Sequence, residues 1–346
     1  MKKGDDIMAI RVAINGFGRI GRLVTRLIVA DPTFELVCIN DLTNPEDLAY
    51  LLKYDTTQGS FLEEEVKFNH NFLFIGNHEI HVTSEKDPSL LPWRDMNIDL
   101  VFECTGAFNS KQKSLAHITA GAKKVIISAP AGNDLKTVVF NVNESILDGS
   151  EEVISTASCT TNCLAPVLKV LNDCYGIEKG LMTTVHAYTN DQATLDVAHK
   201  KGIKARRGRA AAQNIVPTST GAASAIGLVI PELMGKLDGI ALRVPVASGS
   251  VVDLVLELKK NVTVEEINSK FKASTNETLK YTDDPIVSSD VIGVTAGCVI
   301  DGLSTNVIEV EGKQLVKVIA WYDNEMGYSA QMVRTAKYLG DVSEHI

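Results

Sequence analysis

The 346-residue chain has no apolar run approaching the ~18 residues of a transmembrane helix, so nothing in it reads as a membrane span. It has no surplus of positive charge. Lys and Arg number 34 against 43 Asp and Glu, a formal net charge of −9, which disfavours nucleic acid or a membrane surface as its main partner. The six cysteines, at 38, 104, 159, 163, 174 and 298, follow no framework spacing, which argues for free thiols in a reducing, cytosolic setting. No second Cys/His pair at ligand spacing accompanies Cys159 and Cys163, so no metal site is expected. The opening "MKKGDDIMA" lacks the apolar stretch of a signal peptide. No tandem repeat or low-complexity linker is present, and the length exceeds what one core usually serves, which points to two domains.

What is present begins with "IRVAIN" (10–15), a short apolar strand, followed by "GFGRIG" (16–21) and the helical pattern of "RLVTRLIVA". A second strand, "ELVCIN", ends at Asp41, 20 residues past Gly21. In this strand–turn–helix–strand setting Gly16 permits the tight turn, Gly18 lets a pyrophosphate approach the backbone, and Gly21 lets helix and strand pack closely. Asp41 stands where a carboxylate meets a ribose hydroxyl. "IDLVFECTG" (98–106) and "KKVIISAP" (123–130) read as further buried parallel strands, with a helical stretch between them. Strand ends in such a sheet face the ligand crevice, which makes Thr105, Gly106 and Ser128 cofactor candidates by position. Residues 54–95 are strand-like and read as structural.

After residue 157 the pattern changes. "LMTTVHAYT", "IALRVPVASGSVVDLVLEL" and "LVKVIAWYD" suit strands of a larger sheet. "VTVEEINSKFKAST" (262–275) suits a helix capped by Thr263 with Glu266 at the capping-box position, and residues 325–340 form an amphipathic helix. "ASCTTNCLAP" (157–166) opens a helix on this reading. Cys159 then lies beside unpaired amides and the positive end of the dipole, both of which favour thiolate. Ser158, Thr160 and Thr161 add hydroxyls. Cys163, one turn further in, reads as a core residue, and Pro166 predicts a kinked or short first turn. On chemistry alone Cys159 is either a nucleophile or a buried structural thiol; His186, 27 residues on, offers the base of a Cys–His pair. "HKKGIKARRGR" (199–209) carries six Lys and Arg, and reads as a solvated loop, a nucleic-acid patch or an anion site beside Thr220 and Gly221. Arg243, flanked by apolar strand residues, needs an anionic partner.

The set "INGFGRIGR", "CINDL", "LLKYD", "ASCTTNCLAP", "TTVHAYTNDQ", "TSTGAA", "ALRVPV" and "WYDNEMGYS", in order over about residues 9–340, resembles phosphorylating glyceraldehyde-3-phosphate dehydrogenases. The resemblance implies an α/β chain: a Rossmann-type NAD-binding domain over 1–157, onto which a C-terminal helix of about 324–346 packs back, and an α+β catalytic domain over 158–323 with a mostly antiparallel or mixed sheet. It implies Cys159 as nucleophile and His186 as base, with Asn324 on the nicotinamide carboxamide. Arg19, Ile20, Asp41, Lys86 and Ser128 bind the rest of NAD on this basis. Ser158, Thr160, Thr189, Arg207, Thr220, Gly221 and Arg243 share two anion sites, for the substrate phosphate and inorganic phosphate. A cytoplasmic homotetramer acting on glyceraldehyde 3-phosphate is expected.

Some positions depart from the family pattern. The 199–209 stretch is longer than usual, which leaves Arg206 and Arg209 beside Arg207 as phosphate ligands. Ala198 stands where NAD-specific members commonly carry proline. "VASGS" (246–250) replaces "TPNVS", and residues 1–8 read as an extra leader with Met8 as an alternative start. Three other functions are weighed: a hydrolytic sister enzyme acting on erythrose 4-phosphate, a cysteine hydrolase, and RNA binding as a second role of the basic loop. The hydrolase leaves the Gly16–Asp41 unit unexplained.

Overall fold

The computed structural model describes residues 9–200, 202 and 204–343; the expected leader and the last three residues of the expected C-terminal helix lie outside them. The chain divides into two compact units, the first comprising residues up to Val138, Glu144–Thr156 and those from Met332 on, the second Val139–Asn143 and Ala157–Gln331.

The first unit contains β1 (Ile10–Asn15), α1 (Arg19–Ile28), β2 (Phe34–Asn40), α2 (Pro45–Lys53), β3 (Val66–Asn69), β4 (Phe72–Ile75), β5 (His78–Thr83), β6 (Leu100–Glu103), α3 (Lys111–Thr119), β7 (Lys124–Ile127) and β8 (Val153–Ser155). Its eight strands lie in the order β3-β4-β5-β2-β1-β6-β7-β8. From β5 to β8 all neighbours are parallel, while β3, β4 and β5 pair antiparallel. The parallel strands are buried on both faces, which is why they read as continuous apolar runs. Ile14, Phe102 and Ile126 join the apolar cluster on one face. Ala13, Val101 and Val125, each one residue away, join Trp93 in the other. Each fully buried aliphatic or Phe side chain contributes about 1.5–3 kcal/mol. Trp93 Nε1 donates to His117 Nδ1 at 3.0 Å. α2 has no strong sequence periodicity; Asn44 starts it by accepting from Asp47 N, with Pro45 at its first position.

The second unit contains α4 (Cys159–Tyr175), β9 (Ile177–Ala187), β10 (Val216–Ser219), α5 (Ala222–Val229), β11 (Leu237–Val244), β12 (Ser250–Leu258), α6 (Val264–Ala273), β13 (Leu279–Thr282), β14 (Cys298–Val310) and β15 (Lys313–Tyr322). α7 (Met326–Asp341) follows; its first turns belong to this unit. From Met332 on, Val333, Ala336 and Leu339 belong to the first unit's core. The sheet order is β10-β11-β9-β12-β15-β14-β13. Only β11·β9 and β13·β14 are parallel, so the sheet is mixed and mostly antiparallel. α4, α5 and α6 supply Leu164, Leu168, Ile226 and Phe271 to a core shared with Met182, Val252, Leu254 and Val318 of the sheet.

The apolar run 240–258 falls in two strands, β11 and β12, because the chain reverses around Gly249. That residue has φ +85°, and a Cβ there would lie 1.9 Å from Ser288 O. The short first turn expected from Pro166 is not seen: α4 runs on through the proline for 17 residues. Only the Asn162 carbonyl loses its helical donor to the proline, and Gly297 packs against it so closely that a Cβ would approach to 2.9 Å. α6 begins with the expected capping box of Thr263 and Glu266. Trp321 Nε1 donates to Asp301 Oδ2 at 3.2 Å. Among the described residues no helix is long and apolar enough to cross a membrane.

Candidate active site

In the first unit the chain leaves β1, builds β2 on one side, and later builds β6 on the other. The crevice at such a reversal of strand order lies outside the C-terminal ends of the two strands. Gly16 (φ +93°) turns the chain there, so close to β6 that a Cβ would fall 2.7 Å from Thr105 N. A Cβ on Gly21 would lie 2.1 Å from Gly16 O, whereas one on Gly18 would meet nothing within 4 Å. Glycine is thus required twice for packing and once leaves open space. α1 starts without a side-chain cap, so its first amides and dipole are available to an anion. A cleft of about 430 Å³ lies here, lined by Gly16, Gly18, Asp41, Lys86, Thr105 and Asn15 among others. Asp41 accepts from Phe17 N at 2.7 Å and Thr43 N at 2.9 Å, which fixes the carboxylate at the rim. An uncapped helix start, an open glycine and a fixed carboxylate fit a dinucleotide.

Other sequence candidates sit less directly. Arg19 directs its guanidinium to Asp55 at 2.5 Å. Ile20 is half-buried in the first turn of α1, and Ser128 lies one strand further out, its amide on Glu103 O at 3.0 Å. The polar floor of the cleft has no counterpart among the sequence candidates. Glu103, fully buried, accepts from Asn15 Nδ2 at 2.6 Å and Thr105 N at 2.8 Å, and contacts His117 Nε2 at 3.0 Å; Asn15 Oδ1 accepts from Asn40 Nδ2 at 2.7 Å. The signal was the lone polar residue closing each apolar strand.

In the second unit Cys159 is the first residue of α4. Ser158 caps the helix by accepting from Thr161 N at 3.1 Å. Ala157 before it has φ +56°, a conformation that costs a non-glycine residue about 1–3 kcal/mol and holds the turn into the helix. Cys159 Sγ lies 3.3 Å from His186 Nε2. His186 is one residue from the end of β9, and Nδ1 donates to Ala187 O at 2.7 Å. A carbonyl only accepts, so in the neutral ring the proton is on Nδ1 and Nε2 is an acceptor aimed at the thiol. The parallel register sets Arg243 of β11 beside His186. Arg243 is 9% exposed; NH1 donates to Ala187 O at 3.1 Å and Thr189 Oγ1 at 2.8 Å, while Nε is buried without a partner. A buried cationic donor left open is a site for an anion.

The helix dipole does not by itself hold a thiolate. Burial pushes the Cys159 thiol up; Arg243 and Thr160 act against it. Burial, then Arg243, pushes His186 down to about 3. With Nε2 an acceptor facing the thiol, the proton can pass from Sγ across 3.3 Å without any net charge entering the site. Cys163 is fully buried with Sγ 3.7 Å from Ala320 O.

The anion groups fall into two arrangements. Thr189 and Arg243 adjoin the Cys–His pair directly. Thr189 Oγ1 also donates to Asp191 at 2.5 Å, and Arg207 forms an ion pair with the same carboxylate. Burial would push Asp191 up, but Thr189 and Arg207 hold it below the ordinary range. Asp191 is an anion among cations that sequence reasoning missed. Of the loop arginines, Arg207 turns inward, with Nε on Thr218 Oγ1 at 3.2 Å; Arg206 is exposed and Arg209 pairs with Asp196. Thr220 and Gly221 precede α5, where Thr220 Oγ1 accepts from Ala222 N at 3.2 Å and Gly221 provides no side-chain cap. Thr160 differs from its expected place. Its hydroxyl faces inward to Tyr322 at 2.9 Å, because the first helical turn points that side chain at the sheet. Asn324 is 5% exposed, and its Oδ1 accepts from Ser250 Oγ at 2.7 Å. Among the described residues no group of three or more His, Cys, Asp or Glu is placed to hold a metal ion.

A dinucleotide crevice in one unit and a cysteine–histidine pair in the other belong to the class of dinucleotide-linked oxidoreductases that work through a bound thiol. Residues 10–111 match the glyceraldehyde 3-phosphate dehydrogenase NAD binding domain, and residues 158–324 match the C-terminal domain of the same family. A glyceraldehyde-3-phosphate dehydrogenase of Clostridium pasteurianum is 58% identical over 334 residues, covering 96% of this chain and 99% of the relative. One of Streptococcus pyogenes is 56% identical over 338 residues, covering 97% of this chain and all of the relative. The chain belongs to the glyceraldehyde-3-phosphate dehydrogenase family.

Proposed function

We propose that the chain oxidises glyceraldehyde 3-phosphate to 1,3-bisphosphoglycerate with NAD as hydride acceptor and inorganic phosphate as second substrate. The observation that carries this reading is the Cys159–His186 contact of 3.3 Å beside Arg243, whose Nε is open. An aldehyde has no leaving group, so its hydrogen must go as hydride from a tetrahedral carbon. Cys159 Sγ bonds to the carbonyl carbon, and its proton passes by way of His186 Nε2 to the carbonyl oxygen, giving a hemithioacetal. The glycine turn, Asp41, Lys86 and Thr105 would hold NAD, which would supply the hydride acceptor. His186 takes the hydroxyl proton as the carbon becomes a thioester. A phosphate oxygen then attacks that carbon, the C–S bond breaks and the thiolate leaves.

Arg243 and Thr189 hold the substrate phosphate on this reading. Ser158, the Thr160 amide, Thr220, Gly221 and Arg207 hold the attacking phosphate, which displaces Asp191 from Arg207. Arg19 and Ile20 contribute backbone amides to the pyrophosphate, Ser128 completes the cofactor set, and Asn324 offers its amide to the carboxamide. Leu181 and Ile240, 67% and 49% exposed on the sheet face away from the helices, support a homotetramer; sedimentation measures it. A cytosolic setting suits the unpaired thiols.

The test is NADH absorbance with and without phosphate. Without it, about one equivalent of NADH per site forms and turnover stalls, as an accumulating acyl-enzyme requires; arsenate restores turnover. Sustained turnover without either anion refutes phosphorolysis and favours the hydrolytic sister enzyme.

A further inference from the structure

The "VASGS" segment bears on both catalytic groups. Gly249 can adopt φ +85° only as glycine, and it sets Ser248 and Ser250 on either side of one turn at the head of β12. Ser248 Oγ donates to the buried Asp323 at 2.8 Å. Asp323 in turn accepts from Glu325 N at 2.8 Å, Met326 N at 3.1 Å and Gly293 N at 2.7 Å, which locks the backbone on either side of Asn324 and starts α7. Ser250, fully buried, is engaged twice: it accepts from Ala187 N at 3.0 Å and donates to Asn324 Oδ1 at 2.7 Å. The carbonyl of the same Ala187 holds His186 Nδ1 at 2.7 Å and Arg243 NH1 at 3.1 Å.

We propose that Ser250 is a positioning residue for the oxidation step, its hydroxyl tying the Asn324 amide to Ala187, the residue whose carbonyl orients His186 and Arg243. With Oδ1 of Asn324 engaged by Ser250, its NH2 is left to serve as a donor. Ser250 anchors Ala187 through its N–H, and the carbonyl of the same residue, in the next peptide unit, holds the His186 tautomer in which Nε2 accepts from the thiol. One hydroxyl thus fixes two donor–acceptor orientations, and neither could be set by packing alone, because an amide flip or a ring flip preserves shape. The proposal rests on the dehydrogenase reading, since it assigns Asn324 to the cofactor.

The test uses three readouts on the full chain: NAD affinity by calorimetry, the pH profile of Cys159 alkylation by iodoacetamide without NAD, and circular dichroism for folding. NAD binding by the unaltered protein examines the underlying reading, and its absence overturns that reading rather than this one. Ser250→Ala strands Ala187 N and leaves Asn324 Oδ1 only the 3.4 Å contact of Ser248 Oγ, whose proton is already on Asp323, so NAD binding weakens about tenfold and alkylation at neutral pH slows about fivefold. Asn324→Ala weakens NAD binding comparably, and the double variant is no weaker than Asn324→Ala, because Ser250 acts through that amide. Should Ser250→Ala unfold, Ser250→Cys keeps the volume with a weak donor and lowers NAD affinity about threefold. Effects of the two single variants that multiply, or NAD affinity within about twofold of the unaltered protein in the folded Ser250 variant, overturn the proposal.

Discussion

Replacing Arg243 by glutamine separates the two tasks that the structure gives one side chain. The guanidinium is 9% exposed, is anchored by Ala187 O and Thr189 Oγ1, and has Nε open. Glutamine keeps a neutral donor but removes the charge. A hydrogen bond to a charged group contributes about 1.5–3 kcal/mol. Loss of the phosphate contact, offset in part by the glutamine amide, costs about 1–2.5 kcal/mol of transition-state binding and lowers kcat/KM for glyceraldehyde 3-phosphate by about 5- to 70-fold. The second task is electrostatic. Burial is the main force that lowers His186 to about 3, and Arg243 adds to it. The same charge draws Cys159 down against its burial. Removing it therefore raises both groups, and the alkylation profile of Cys159 moves to higher pH because the thiolate has lost a cation. The decisive assay compares glyceraldehyde 3-phosphate with unphosphorylated glyceraldehyde. The phosphorylated substrate loses the full factor; the unphosphorylated one loses only what the shifted thiol accounts for. Equal losses for the two would refute the assignment of Arg243 to the substrate phosphate.

Cys159→Ser abolishes oxidation in the NADH assay while NAD binding by calorimetry survives, since a serine hydroxyl is a far weaker nucleophile at neutral pH; Cys163→Ser, buried away from His186, keeps most of the activity. His186→Asn removes the acceptor 3.3 Å from Sγ that takes the thiol proton, so alkylation of Cys159 at neutral pH slows and kcat falls at least about a hundredfold. Asp41→Asn removes the charge that repels a 2′-phosphate, so the ratio of kcat/KM for NAD to that for NADP falls by about tenfold or more, and an unchanged ratio would place cofactor choice elsewhere.

The local elements legible in the sequence were those whose signal is carried by adjacent residues. The Gly16–Gly21 turn, its flanking strands and Asp41 form one contiguous pattern, and the Thr263–Glu266 cap is a local exchange of hydrogen bonds. The Cys159–His186 pair was legible only as two chemical types in plausible settings, because the 3.3 Å contact depends on α4 and β9 meeting in space. Asp191 escaped notice since an aspartate in a polar run looks solvated until Arg207 folds onto it. The Glu103, Asn15 and Asn40 floor was likewise hidden: each polar residue merely ends a strand, and only the sheet order brings the three together. Pro166 misled because the rule for an isolated helix omits neighbours, and Gly297 lets another segment take the space beside the freed carbonyl.

The chain's two tryptophans are divided between the units: Trp93 in the first, sealed against His117, and Trp321 in the second, on Asp301. Each indole is a built-in fluorophore with a different quenching partner. Replacing Trp321 by phenylalanine leaves emission from the dinucleotide-binding unit alone, and replacing Trp93 leaves emission from the thiol-bearing unit alone. Denaturant titrations of the two variants, followed at one wavelength, then read the melting of each unit separately. Coincident midpoints mean that the two lose structure as one cooperative body, whereas separated midpoints expose a half-folded species in which one emitter is bright and native while the other is already in water.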